Sequence, residues 1–199
     1  ENKAEFENVG QWKRAWYYPK NNETMHEAVQ RESKAARNSA GILDASTLGK
    51  IDIQGTDASE FLNRVYTNAW SKLAIGKCRY GLMLNEDGMV YDDGVTTRLD
   101  ENHYIMTTTT GGAANVLGKL EDYLQTEWPE LDVYLSSVTD HYATASICGP
   151  NSKKILNKLI PDLDFSDEGF PHMSFKNAKI NNIKCRIMRI SFTGEHSYE

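Results

Sequence analysis

Cysteine is scarce in this sequence: 199 residues carry only Cys78, Cys148 and Cys185. An odd count at wide spacing fits neither a disulfide framework nor a zinc site with paired ligands, so reduced, buried thiols are expected. Long hydrophobic runs are missing too. No stretch approaches the roughly 20 apolar residues of a membrane-spanning helix, because charged side chains interrupt each one. The opening residues, Glu1-Asn2-Lys3-Ala4-Glu5, lack the basic, apolar and small-residue regions of a secretory signal. These absences predict a cytoplasmic protein without a membrane partner. Positive charge is in deficit, with 22 Lys and Arg against 28 Asp and Glu and a formal net charge of -6. The basic residues are scattered, so no nucleic acid partner is expected either.

Several catalytic signatures are also absent. His26, His103, His141, His172 and His196 include no pair at ligand spacing, which argues against a metal site. There is no G-x-S-x-G elbow, no G-x-G-x-x-G fingerprint and no Walker lysine. Gly111-Gly112 reads first as a passage from strand to helix and only second as a cradle for an anion. A small molecule or another subunit remains as the expected partner.

Periodicity predicts an α+β fold with antiparallel sheets and packed helices. Trp12, Trp16, Tyr17 and Tyr18 crowd a lead-in, residues 1–23, that has no clear period. Thr24 and Glu27 form a capping-box pattern ahead of a helix over 24–39 that Gly41 ends. Leu48 to Gln54 reads as a strand, and Asp57 with Glu60 repeats the capping pattern before a second helix. Strands at 79–84 and 89–99 flank the turn Asn85-Glu86-Asp87-Gly88, which predicts a hairpin. A strand over 104–109 ends in the threonine run Thr107 to Thr110, and a helix from Ala113 towards Pro129 follows. Further strands are expected at 133–138, 141–147 and 183–192, with a short helix at 152–160.

The hairpin's second strand carries the most informative residues. Strict alternation puts Met89, Tyr91, Asp93, Val95 and Leu99 on an apolar face, with Asp92, Thr96 and Arg98 opposite. A carboxylate on an apolar face is costly unless paired, which makes Asp93 the candidate for chemistry. Asp92 is expected to meet Arg98 or solvent. The competing reading has Asp93 serve the fold alone, by satisfying a backbone amide or a tyrosine hydroxyl.

Gly41-Ile42-Leu43-Asp44-Ala45-Ser46, the turn Leu84-Asn85-Glu86-Asp87-Gly88 with Tyr91-Asp92-Asp93 after it, Cys148-Gly149-Pro150, and Phe192-Thr193-Gly194-Glu195 leading to Tyr198-Glu199 occur in that order. The series resembles the glycine-cleavage T-protein (aminomethyltransferase) superfamily. Gly10-Gln11-Trp12-Lys13-Arg14, Trp16-Tyr17-Tyr18-Pro19, Leu124-Gln125-Thr126-Glu127-Trp128-Pro129 and Phe170-Pro171-His172-Met173-Ser174-Phe175 resemble its branch of heterotetrameric sarcosine oxidase alpha subunits.

The resemblance implies a T-protein-like folate-binding fold, with 24–199 as its N-terminal part and the remainder beyond residue 199. It implies tetrahydrofolate as cofactor, with FAD, FMN and NAD bound outside these residues. An iminium intermediate made at a flavin on a different subunit would be captured as methylenetetrahydrofolate, and the partners would be the other sarcosine oxidase subunits. Asp93 is the implied catalytic residue, and Glu199, Tyr80 and Tyr91 are the implied folate-binding residues. The segment alone is expected to be inactive. The alternatives are a free-standing aminomethyltransferase, a dimethylglycine dehydrogenase-like enzyme, and a non-catalytic module that keeps the fold.

Overall fold

Residues 3–199 are described by the structure, a computed structural model. Leu48–Ala143 forms one compact unit, and the segments before and after it form the other.

The discontinuous unit begins with a hairpin of β1 (Glu5–Val9) and β2 (Trp12–Tyr17). This corrects the reading of the lead-in as a segment without strand character; its residues 1 and 2 lie outside the described residues. The period was hidden because aromatic and charged side chains share both faces of the ribbon. Glu7 and Arg14 pair across it at 2.7 Å. Gly10 makes the turn with a φ of +60°, where a side chain is disfavoured. Helix α1 (Met25–Asn38) starts at the Thr24–Glu27 capping box, as expected. Strand β3 (Gly41–Asp44) follows at once.

The continuous unit contains β4 (Gly49–Gln54), α2 (Ala58–Val65), β5 (Cys78–Leu84), β6 (Val90–Asp100), β7 (His103–Thr108), α3 (Ala113–Thr126) and β8 (Tyr134–Ser137). Its five strands pair in the order β5-β6-β7-β4-β8, antiparallel throughout. Asp57 stands at the start of α2 but does not cap it with its side chain. Its carboxylate accepts instead from the Asp132 amide at 2.9 Å, so the expected capping box is replaced by a tie to the segment before β8. One sheet face carries Ile51, Ile53, Tyr104, Met106 and Met83 into a core with Phe61, Leu62 and Val65 of α2 and Val116 and Leu120 of α3. Trp70 is fully buried in that core, edge-on to Tyr66. A Cβ at Gly81 would meet its indole at 2.7 Å, so glycine is what lets Trp70 lie against β5.

The chain then returns to the first unit with β9 (Ala145–Cys148), α4 (Ser152–Leu159), β10 (Ser174–Ile180), β11 (Ile183–Arg189) and β12 (Ser197–Tyr198). Strand β9 lies between β12 and β3, and β10 pairs with β11. Strand β10 has no counterpart among the sequence expectations, because its apolar residues, Phe175 on one face and Ala178 and Ile180 on the other, break the alternation. The core here is Leu156, Ile160, Phe165, Phe170, Ile187 and Tyr198. All three cysteines are unpaired, and Cys78 and Cys148 are buried. Burial raises the Cys78 thiol pKa to about 11, which makes it a packing residue more than a nucleophile. No helix among the described residues is long and apolar enough to cross a membrane.

Candidate functional site

The β5–β6 hairpin brings Tyr80 and Asp93 together. In register, Tyr80 pairs with Val95 and Leu82 with Asp93, so both side chains lie on the sheet face opposite α2 and α3. The Tyr80 hydroxyl donates to Asp93 Oδ2 at 2.6 Å, the short distance of a charge-assisted bond. That bond, followed by partial burial, raises the tyrosine pKa. Tyr80 remains 49% exposed, so its ring is accessible from solvent. The other Asp93 oxygen accepts no hydrogen bond from the described residues. A carboxylate with one oxygen fixed and one free can hold a cation or take a proton in a defined direction.

The burial of the acidic pair is the reverse of the sequence expectation. Asp92, not Asp93, faces the core and is 4% exposed. Its Oδ1 accepts from the Thr109 hydroxyl at 2.6 Å and its Oδ2 from the Thr109 amide at 3.2 Å. Burial raises its pKa, and the bonds from Thr109 oppose that rise. Arg98 is not its partner. Six residues separate them along one strand, about 20 Å at strand rise, and Arg98 donates to the carbonyls of Leu73 and Glu101. The hydropathy pattern misleads here because large side chains from α2, β7 and Trp70 fill the core, leaving small polar positions for β6.

Tyr91 also departs from strict alternation. Leu84 pairs with Val90 and Met83 with Asp92, so Tyr91 is the extra residue of a β-bulge. Its ring lies under the Lys119 ammonium of α3, 4.2 Å from the ring centroid, and packs against the α3 side of the sheet. The structure therefore joins Tyr80 to Asp93 and directs Tyr91 elsewhere.

Glu199 belongs to the discontinuous unit. Its N–H donates to the Met188 carbonyl at 2.9 Å and its carbonyl accepts from the Met188 amide at 2.7 Å, which carries the β12 line onto β11. Tyr198 beside it is 2% exposed among Phe165 and Phe170. Alternation thus directs Glu199 to the opposite face, where it is half-buried. Glu195 is occupied differently, paired with Arg37 at 3.2 Å. A cavity of about 570 Å³ in this unit is lined by His172, Arg189, Glu195 and His196. Its cation is already engaged, since Arg189 donates to the Phe170 carbonyl and to Asp167, each at 2.6 Å. Among the described residues no cluster of three His, Cys, Asp or Glu could hold a metal ion.

Thr107 and Thr109 were missed as site-building residues. Their signal was the threonine run itself, read only as a preference for extended backbone. In the structure the Thr107 hydroxyl accepts from the Val95 amide and the Thr109 hydroxyl donates to Asp92.

Comparison with known proteins agrees with this architecture. The GCVT N-terminal domain family matches residues 1–199. The sarcosine oxidase subunit alpha of Corynebacterium sp. (strain U-96) is 57% identical over 197 residues, covering 98% of this chain and 20% of that protein. The chain thus spans about a fifth of the length of that relative. Among solved structures, the glycine cleavage system aminomethyltransferase T from Bartonella henselae superposes with a TM-score of 0.80 at 23% identity, over 99% of this chain and 49% of that one. A chain of the heterotetrameric sarcosine oxidase from Corynebacterium sp. U-96, solved in complex with pyrrole 2-carboxylate, superposes with a TM-score of 0.55 at 15% identity, over 87% and 81%. At these identities the two structures speak for the fold alone. With its whole length matched and its strand order accounted for, this chain belongs to the GCVT N-terminal domain family.

Proposed function

We propose that this chain supplies part of a tetrahydrofolate site in a sarcosine oxidase alpha subunit, where the one-carbon unit of oxidised sarcosine is captured as methylenetetrahydrofolate. The observation that carries the reading is the Tyr80–Asp93 pair, bonded at 2.6 Å on the sheet face away from the packed helices. Its residues fit a folate. A half-exposed tyrosine ring offers a stacking surface to a planar pterin, and a carboxylate oxygen without a protein donor suits a ligand that brings cationic or N–H groups.

Tetrahydrofolate, when bound, supplies the amine that takes up the one-carbon unit. Asp93 stabilises the positive charge of the incoming iminium and accepts the proton released as the amine attacks. Tyr80 fixes the rotamer of that carboxylate. Glu199 is the proposed pterin anchor, a carboxylate accepting from amino and ring N–H donors. In this reading the iminium arrives from a flavin on a different subunit, FAD, FMN and NAD lie outside these residues, and the partners are the other sarcosine oxidase subunits. A purely structural role for the acidic pair suits Asp92, which is buried and bonded through both oxygens, better than Asp93, which is neither.

Glu199→Gln in the complete enzyme tests the anchor. Losing a charged hydrogen bond worth about 1.5–3 kcal/mol should raise the tetrahydrofolate Kd roughly tenfold to a hundredfold. Sarcosine turnover without folate should stay normal. Glu195→Gln should leave folate affinity unchanged, because that carboxylate serves Arg37. The reverse pattern would mean that the other glutamate holds the pterin.

A further inference from the structure

Strand β6 is held unevenly. On its β5 side the ladder is registered from Cys78–Thr97 to Leu84–Val90. On its β7 side the registered pairs are confined to Thr96–Asp100, ending at Thr96–Met106. Asp93 therefore sits beyond the end of the β6–β7 ladder, and two threonine side chains take over there. The Val95 amide donates to the Thr107 hydroxyl at 2.9 Å, and Asp92 receives the hydroxyl and the amide of Thr109. Thr109 in turn accepts from the Gly112 amide at 3.1 Å, at the start of α3. A Cβ on Gly112 would come within 2.9 Å of Asp92 Oδ1, so the carboxylate lies against the helix entrance. The positive end of the α3 dipole favours a negative charge there.

We propose that Asp92 is a positioning residue for Asp93: it clamps the unladdered part of β6 to the β7–α3 turn and so fixes the backbone from which Asp93 reaches Tyr80. This rests on the folate reading of Asp93. Asp92 touches no ligand and acts through its neighbour. An asparagine at 92 that turns its oxygen to the Thr109 amide presents its NH2 group to the Thr109 hydroxyl, which already accepts from the Gly112 amide, so the charge-assisted 2.6 Å bond to the carboxylate is lost. The freed strand would let Asp93 drift by a fraction of an ångström, a displacement that positioned chemistry does not tolerate.

The test is a double-mutant cycle in the complete enzyme, following the folate product and, separately, amine oxidation without folate. Asp92→Asn should lower the rate of folate-product formation about tenfold to a hundredfold while amine oxidation is kept. Thr109→Val should act in the same direction, and Thr109→Ser, which retains the hydroxyl, should stay within about twofold of the parent. In an Asp93→Asn background, Asp92→Asn should change that rate by less than about twofold, because the residue it positions is gone. An equal drop in both backgrounds would overturn the inference and leave the folate reading standing. So would an Asp92→Asn enzyme within twofold of the parent. Asp93→Asn without any effect of its own would overturn both.

Discussion

Asp93→Asn in the complete enzyme is expected to lower methylenetetrahydrofolate formation about a hundredfold, the scale of a lost general base or charge stabiliser, with sarcosine oxidation nearly unchanged. On the proposed reading the two activities separate, because the amine would be oxidised at a flavin on another subunit and Asp93 would act on the iminium afterwards. The substitution is nearly isosteric. Asparagine can still accept from the Tyr80 hydroxyl, so the hairpin keeps its shape and only the charge is removed. Iminium that is not captured meets water, which adds to its carbon and releases formaldehyde with the free amine. Formaldehyde should therefore rise as the folate product falls, at constant oxygen consumption. Measuring both products in the presence of tetrahydrofolate decides the matter, and an unchanged folate product would remove Asp93 from the chemistry.

Gly94→Ala should give the largest structural effect of any single methyl group at this site. A Cβ at Gly94 would stand 1.9 Å from the Thr107 carbonyl oxygen and 2.7 Å from its carbon. Both are backbone atoms and cannot rotate aside, so β6 must move away from β7. Overpacking of this kind costs about 3 kcal/mol, the upper end of the usual range. If the strain opens the sheet locally, amides of β6 and β7 should exchange with solvent roughly a hundredfold faster than in the parent. Gly118 on the exposed side of α3 provides the contrast, because nothing lies within 4 Å of its Cβ position. Alanine there should stabilise the helix by about 0.5–1 kcal/mol. Equal protection of β6 and β7 in the Gly94→Ala and Gly118→Ala proteins would mean that the β6–β7 crossing is looser than described.

Much of the fold was written locally. The Thr24–Glu27 capping box gave α1, and Asn85-Glu86-Asp87-Gly88 gave the β5–β6 hairpin, because caps and tight turns are decided by residues a few positions apart. What escaped depends on distant partners. Asp57 looked like a helix cap until its carboxylate met the amide of Asp132. Asp92 looked solvent-facing because nothing near it in sequence announces Thr109, seventeen residues on, as its partner. The one-residue bulge at Tyr91 then shifted that ring from the Asp93 side to the Lys119 side. Asp93 does differ from its neighbour, but in the opposite sense to the expectation: Asp92 is the buried one. Asp93 lies on the less buried face, where one carboxylate oxygen accepts from Tyr80.

Calorimetric titration of the intact parent protein with tetrahydrofolate tests the central claim most directly. A folate site built on this domain predicts saturable binding at one site per subunit with a Kd of about micromolar order, weakened tenfold or more by Glu199→Gln and left unchanged by Glu195→Gln. Absence of saturable heat at about millimolar tetrahydrofolate, from a subunit that still oxidises sarcosine in its assembly, would contradict it.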